Sequence, residues 1–194
     1  MKVISYPNPV LFHKSKPITS INQQLRDLVS AMFQTMYEMS GVGLAAIQVG
    51  YPIQLFIMNV TGDAEQPEHE YTFINPIILK RKGNRFGQEG CLSFPGIYAE
   101  VSRAESIEIE SLALDGSVQY FKWNDWQARV AQHEYDHLNG MNFVDRLNEL
   151  SLSDINNELY DLKITYESNI RHGFIPDANE TQKHIAELEK QFCE

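Results

Sequence analysis

Residues 132–137 read Gln-His-Glu-Tyr-Asp-His, which sets His133, Glu134 and His137 in an H-E-x-x-H arrangement. Imidazoles four residues apart can share one ion on a helix, where positions i and i+4 lie on one face, whereas along a strand they would stand about 13 Å apart. The motif therefore demands a helix, and Asn124 followed by Gln127 has the spacing of a capping box, with Asn139-Gly140 as the stop. The spacing predicts a helix from there to about Leu138. With six His and seventeen Glu in 194 residues, chance supplies about 0.016 such matches, so coincidence is a weak explanation. A plain core stripe through Trp126, Val130, His133 and His137 is the alternative, yet buried imidazoles would still need partners.

A catalytic metal site wants three protein ligands and an open position. The metzincin continuation fails because its third histidine position holds Phe143. A gluzincin-like site would draw on Glu158, downstream by 21 residues from His137. A third option is Cys91 in QEGCLSFPG, where Gly90 permits close backbone approach and a thiolate would complete a Cys-His₂ set. Spacing alone leaves the last two open.

The motif helix sits late in a chain of changing pattern. Ser20 with Gln23 has capping-box spacing, and Leu25, Leu28, Val29, Met32 and Met36 recur at helical intervals, predicting a helix over 21–39 that stops at Gly41. Short apolar β-rich runs follow at 52–60, 71–79, 97–101 and 106–114, with a polar loop over 61–70, a turn over 82–87 and a hairpin signal at Asp115-Gly116. Beyond MNFVDRL, one helical pattern carries Ile155, Leu159 and Leu162, and a short last one carries Ile185, Leu188 and Phe192. The class is α+β: antiparallel sheets around a central metal-binding helix, with an N-terminal helix and a helical C-terminal extension. The expected division is a catalytic domain over 1–149 and an extension over 150–194.

Charge narrows the function. A net charge of −10 disfavours binding to a phosphate backbone. Two cysteines, Cys91 and Cys193, exclude a disulfide framework. No signal-peptide-like or membrane-length apolar run is present, so a reducing cytoplasm is the expected location.

Three segments together resemble peptide deformylase of the bacterial type: GVGLAAIQVG at 41–50, EGCLS at 89–93 and QHEYDH at 132–137. SYPNPVL, NPII and LNGMNFVDRL flank them in the family's order, so the resemblance spans about 1–150. It implies a hydrolase that removes the formyl group from N-formylmethionyl nascent peptides and releases formate. Carried over position by position, it implies Cys91, His133 and His137 as metal ligands and Glu134 as general acid/base. It also implies that Gln48 and the Leu92 N–H polarise the formyl oxygen. Val42, Leu92 and Val130 are candidate walls of the methionine pocket, and Gly41 and Gly43 suit an extended substrate alongside. Gly96 and Tyr98 are candidates for the downstream residues, and Glu89 and Arg103 for support of the Cys91 segment.

Ligand softness favours Zn²⁺; the resemblance favours Fe²⁺, with Zn²⁺, Ni²⁺ or Co²⁺ able to substitute, and Fe²⁺ is the expectation here. Ile47 stands where many family members have proline, which changes loop stiffness but not the Gln48 amide. Residues 150–194 hold four Lys+Arg and nine Asp+Glu, a net of −5. Such a tail is poorly suited to the basic helix through which some bacterial deformylases reach the ribosome, and supports that partner only weakly. It is expected to pack its apolar stripes on the body or on a second subunit.

Overall fold

The computed structural model describes residues 1–176 and 178–194, position 178 by its backbone alone. Helix α1 (Gln23–Glu38) leads into a short strand β1 (Gly43–Ala45), a 3₁₀ turn over Ala46–Val49, then β2 (Leu55–Met58) and β3 (Tyr71–Lys82). A separate hairpin follows, β4 (Arg85–Cys91) and β5 (Phe94–Arg103), then β6 (Ser106–Leu112), β7 (Val118–Asn124) and helix α2 (Asp125–Leu138). Five strands pair antiparallel in the order β1-β2-β3-β6-β7, with β4 and β5 apart from them.

Strand β2 reads Leu-Phe-Ile-Met without alternation because both its faces are covered. Leu55 and Ile57 pack with Leu25, Leu28 and Met32 of α1, whereas Phe56 and Met58 pack with Ala128, Val130 and Ala131 of α2. Phe56 stacks on Phe73 at 4.5 Å between centroids. Strand β6 alternates instead, Ile107 and Ile109 buried, Glu108 and Glu110 half-buried, the pattern of an antiparallel strand with one face on the core and one toward solvent. The α+β class and the central helix thus hold, and Asp115-Gly116 forms the expected hairpin, Gly116 at φ +85°.

Several local expectations are corrected. Asn22, not Ser20, caps α1 by accepting the Leu25 N–H at 3.0 Å; Ser20 lies outside the first turn and out of reach. Ser40 at φ 55° takes the left-handed position assigned to Gly41. Asn124 makes no side-chain cap to α2. Its entry is held from outside, Asp125 giving its N–H to the Glu105 carbonyl at 2.9 Å and taking Arg85 Nη1 at 2.5 Å. The turn over 82–87 shrinks to Gly83 and Asn84, as β4 begins at Arg85.

After residue 148 come α3 (Glu149–Asp154), α4 (Asn156–Arg171) and α5 (Ala178–Cys193). The last spans 16 residues rather than being short. Ile155, Leu159 and the partly buried Leu162 pack with Phe94, Ile97 and Phe143, while Leu188 and Phe192 join the α1 side of the sheet and Ile185 the α2 side. The extension packs on its own body. No described helix is long and apolar enough to cross a membrane.

Helix α5 is also pinned by Glu189, which accepts His13 Nε2 at 2.8 Å and Lys16 Nζ at 2.6 Å. Burial alone would raise the Glu189 carboxyl, but the bonds from Lys16 and His13 hold it below its ordinary value, and the Glu189 bond raises Lys16. The Glu189 contribution is fully present above the ordinary carboxylate value and is lost as pH falls through the lowered one; that of Lys16 fades as pH rises through its raised value. Exchange protection of the α5 amides, taken relative to their intrinsic rates, should therefore fall in acid ahead of the rest of the fold, and Glu189→Gln should remove that acid-side change. Identical acid profiles for the two proteins would contradict this clamp.

Candidate metal centre

Helix α2 is buried on a polar face, an arrangement that is stable only if every group finds a partner. Gln132 closes two bonds with the Ala104 backbone at 2.9 and 3.1 Å. Arg129 donates to the carbonyls of Arg85, Gly87 and Val101 and to Glu89. Asp136 takes Arg103 on one side and Arg146 on the other. The helix is thereby bolted to the β4–β5 hairpin, and the hairpin's first strand ends on Cys91.

This brings Cys91, His133 and His137 together with their ligand atoms all within 4.8 Å of one another. Leu92-Ser93 is the two-residue turn of the hairpin, Cys91 pairing with Phe94 across it. Cys91 Sγ lies 3.3 Å from His137 Nε2, and the two imidazole rings are nearly perpendicular at 81°. His133 Nδ1 is 2.9 Å from Glu89 Oε2, so a neutral His133 donates its Nδ1–H to the Glu89 carboxylate and keeps Nε2 free as a ligand atom. Among the described residues, buried His137 Nδ1 and Glu134 Oε2 have no hydrogen-bond partner.

The electrostatics favour a cation here. Burial lowers the His133 imidazole, yet the Cys91 thiol and the Glu89 carboxylate push it up to about 10, so the pocket stabilises positive charge. Burial holds His137 well below its usual range, in the neutral form that ligation requires. Burial also raises Glu89, but Arg103 and His133 hold it far below the ordinary carboxylate range. Glu134 goes the other way: desolvation pushes it up to about 7. The two carboxylates, Glu89 on β4 and Glu134 on α2, are thus split, one fixed as an anion and one poised to exchange a proton near neutrality.

Gln48 sits in the 3₁₀ turn after β1, its Oε1 accepting the Ala45 N–H at 2.8 Å and its Nε2 lying 3.3 Å from Cys91 Sγ and 3.2 Å from Ser93 Oγ. That orients an amide N–H toward the ligand cluster. Gly43 has no side chain for a reason: a Cβ there would stand 2.5 Å from Glu134 Oε1. Gly90 likewise accommodates the Tyr98 ring, with Cε1 2.5 Å from where a Cβ would be.

Above the cluster opens a cavity of about 520 Å³. Val42, Gly43, Gly96, Tyr98, Val130, Leu92, Gln48 and Glu89 all line it, as do Cys91, His133 and Glu134. His137 lies beneath, fully buried, and Arg103 stands behind Glu89, donating to it through Nε and Nη2 at 2.9 Å each. Glu158 is exposed on α4 and stands apart from the cluster, which removes the gluzincin-like alternative. Trp126, read as one end of a core stripe, is 47% exposed at the cavity wall. The sequence reading missed Trp126 and Arg129 as lining residues and Asp136 as the buried anion between two arginines; the available signal was charge on the buried face of a helix.

A family model described as polypeptide deformylase matches residues 1–153. The chain belongs to the polypeptide deformylase family. Members of that family are metal-dependent hydrolases that remove the N-formyl group from nascent polypeptides. The peptide deformylase of Rhodopirellula baltica is 38% identical over 192 residues, covering 99% of this chain and 95% of its own length. The peptide deformylase of Neisseria gonorrhoeae is 39% identical over 159 residues, 82% of this chain and 93% of its own. Among solved deformylases, that of Plasmodium falciparum superposes with a TM-score of 0.84 at 33% identity, over 86% of this chain and 98% of that one. The R. baltica deformylase match therefore continues past residue 153 through the acidic extension.

Proposed function

We propose that this chain hydrolyses the formyl amide of N-formylmethionyl peptides at the Cys91–His133–His137 cluster. The observation that carries the reading is that three ligand atoms, a buried proton-exchanging carboxylate and an amide donor converge on one side of a single cavity. A divalent cation held by Cys91, His133 and His137 supplies Lewis acidity and makes water more acidic. We assign Fe²⁺ to the site, with Zn²⁺, Ni²⁺ or Co²⁺ able to replace it, because the family resemblance is more specific than ligand softness.

The residues divide the remaining work. Glu134, raised to about 7, takes a proton from the attacking water and later returns it to the leaving amine. The Gln48 Nε2–H and the Leu92 backbone N–H face the developing oxyanion, held there by the Ala45 bond and the hairpin turn. Glu89 orients His133, and Arg103 with Arg129 orients Glu89. Val42, Leu92 and Val130 receive the methionine side chain, and Gly43, Gly96 and Tyr98 border the peptide that follows. The catalytic unit is 1–149; the 150–194 extension braces it, and its net charge of −5 supports the ribosome as a partner only weakly. The expected location is the cytoplasm, with no nucleic acid or membrane as partner.

Metal content and formate release measured side by side test the ligand set. Cys91→Ala should lose both, whereas Glu158→Ala should keep both. Metal lost only from Glu158→Ala would overturn the assignment.

A further inference from the structure

A separate cavity of about 330 Å³ opens between the ends of β3 and β5, helix α2 and the 3₁₀ turn over Phe143–Arg146. It shares no lining residue with the 520 Å³ cavity. Arg81, Arg103 and Arg146 line it, together with Asn84 and Ser102, and Asp136 is the one carboxylate among its lining residues.

That carboxylate is already taken. Arg146 donates to Asp136 through Nε and Nη2, at 2.5 Å each, and Arg103 donates to it through Nη1. Arg103 is held on its other edge by Glu89, which Arg129 also reaches. Four arginines, Arg81, Arg103, Arg129 and Arg146, therefore face two carboxylates, Glu89 and Asp136, a local excess of two positive charges in a chain of net charge −10. Glu105 approaches the Gly83 turn but lines a different cavity. Among the described residues Arg146 Nη1 has no partner, and the Arg81 guanidinium has neither a hydrogen bond nor an ion pair; it lies 5.9 Å over the Tyr135 ring. The side chains of Asn84 and Ser102 have no hydrogen-bond partner among those residues either.

We propose that this cavity is a binding site for a phosphate group, free or carried by a small monoester. Arg81 and Arg146 offer charged N–H donors whose planar forks match a tetrahedral oxyanion, and Asn84 and Ser102 add neutral donors. A volume of 330 Å³ lies at the small end of ligand sites, which sets the size of the molecule carrying the phosphate. The overall charge of −10 selects a small dianion over a polyanionic chain, which the rest of the surface repels.

The test is calorimetric titration of the metal-loaded protein with inorganic phosphate and with glycerol 3-phosphate, chloride holding the ionic strength constant. One phosphate per chain is expected, with a Kd of about 1 mM, the affinity of a few charge-assisted hydrogen bonds less the cost of association. Arg81→Ala should weaken binding at least about tenfold, the loss of one such bond, and Arg81→Lys, which keeps the charge without the fork, should weaken it less. Arg81 is exposed and unpaired, so both variants should fold. Tighter binding of glycerol 3-phosphate would identify a monoester as the ligand, and equal binding the free anion. Equal affinity for phosphate in wild type and Arg81→Ala would place the anion at the metal or elsewhere, and no saturable binding by about 20 mM would mean no site; either result overturns the assignment.

Discussion

Glu134→Ala should lower formate release from an N-formylmethionyl peptide by about 10² to 10⁴-fold, the contribution of a positioned acid/base, while metal content stays at the wild-type level. The reason lies in its surroundings. Glu134 is 4% exposed, its Oε2 has no partner among the described residues, and burial pushes it up to about 7, where it can both accept and return a proton. It is no member of the ligand set, so the ion should remain. Glu134→Gln keeps shape and volume but cannot take a proton, and should lose as much turnover as the alanine variant. Activity in the glutamine variant within tenfold of wild type would mean that Glu134 acts by packing rather than by proton transfer.

Glu89→Ala is expected to have the largest effect on stability. This one carboxylate takes Arg103 at 2.9 Å through both oxygens, Arg129 at 2.7 Å and His133 at 2.9 Å, at 5% exposure. Its removal leaves two guanidinium groups short of a buried counter-charge, which costs about 3–5 kcal/mol when one partner of a buried pair is deleted. The same change frees His133 to rotate, and metal affinity should fall about 10- to 100-fold. Thermal unfolding with and without chelator separates the two effects: the stability loss persists in chelator, and the affinity loss shows only in its absence. A cost under about 1 kcal/mol in chelator would show that Arg103 and Arg129 find other partners in Asp136 and the hairpin carbonyls.

The parts of this molecule legible in the sequence are those set by short-range spacing. His133, Glu134 and His137 share a helix face whatever surrounds them, and Asp115-Gly116 makes its own turn. Cys91 was one option among three from spacing and came into the ligand set through the resemblance; the fold brings it to His137 because the hairpin carrying it is bolted to α2 by Arg129 and Arg103, contacts spanning about forty residues. The helix entries misled because local caps compete with distant partners: Asp125 is held by Arg85 and Glu105 rather than by its neighbours. Arg129 and Asp136 escaped notice because a charged residue on a helix reads as solvent-facing until the opposite charge that buries it is located in space. The acidic extension kept its apolar stripes in view, and of the two surfaces expected for them, the body or a second subunit, they pack on the body.

The central claim is tested most directly by purifying the protein without oxygen, loading it separately with Fe²⁺, Ni²⁺ or Zn²⁺, and following formate release from a formyl-methionyl peptide. Stoichiometric formate and free amine are expected, fastest with Fe²⁺ and abolished by chelation; no formate with any of the three ions would contradict the assignment of this site.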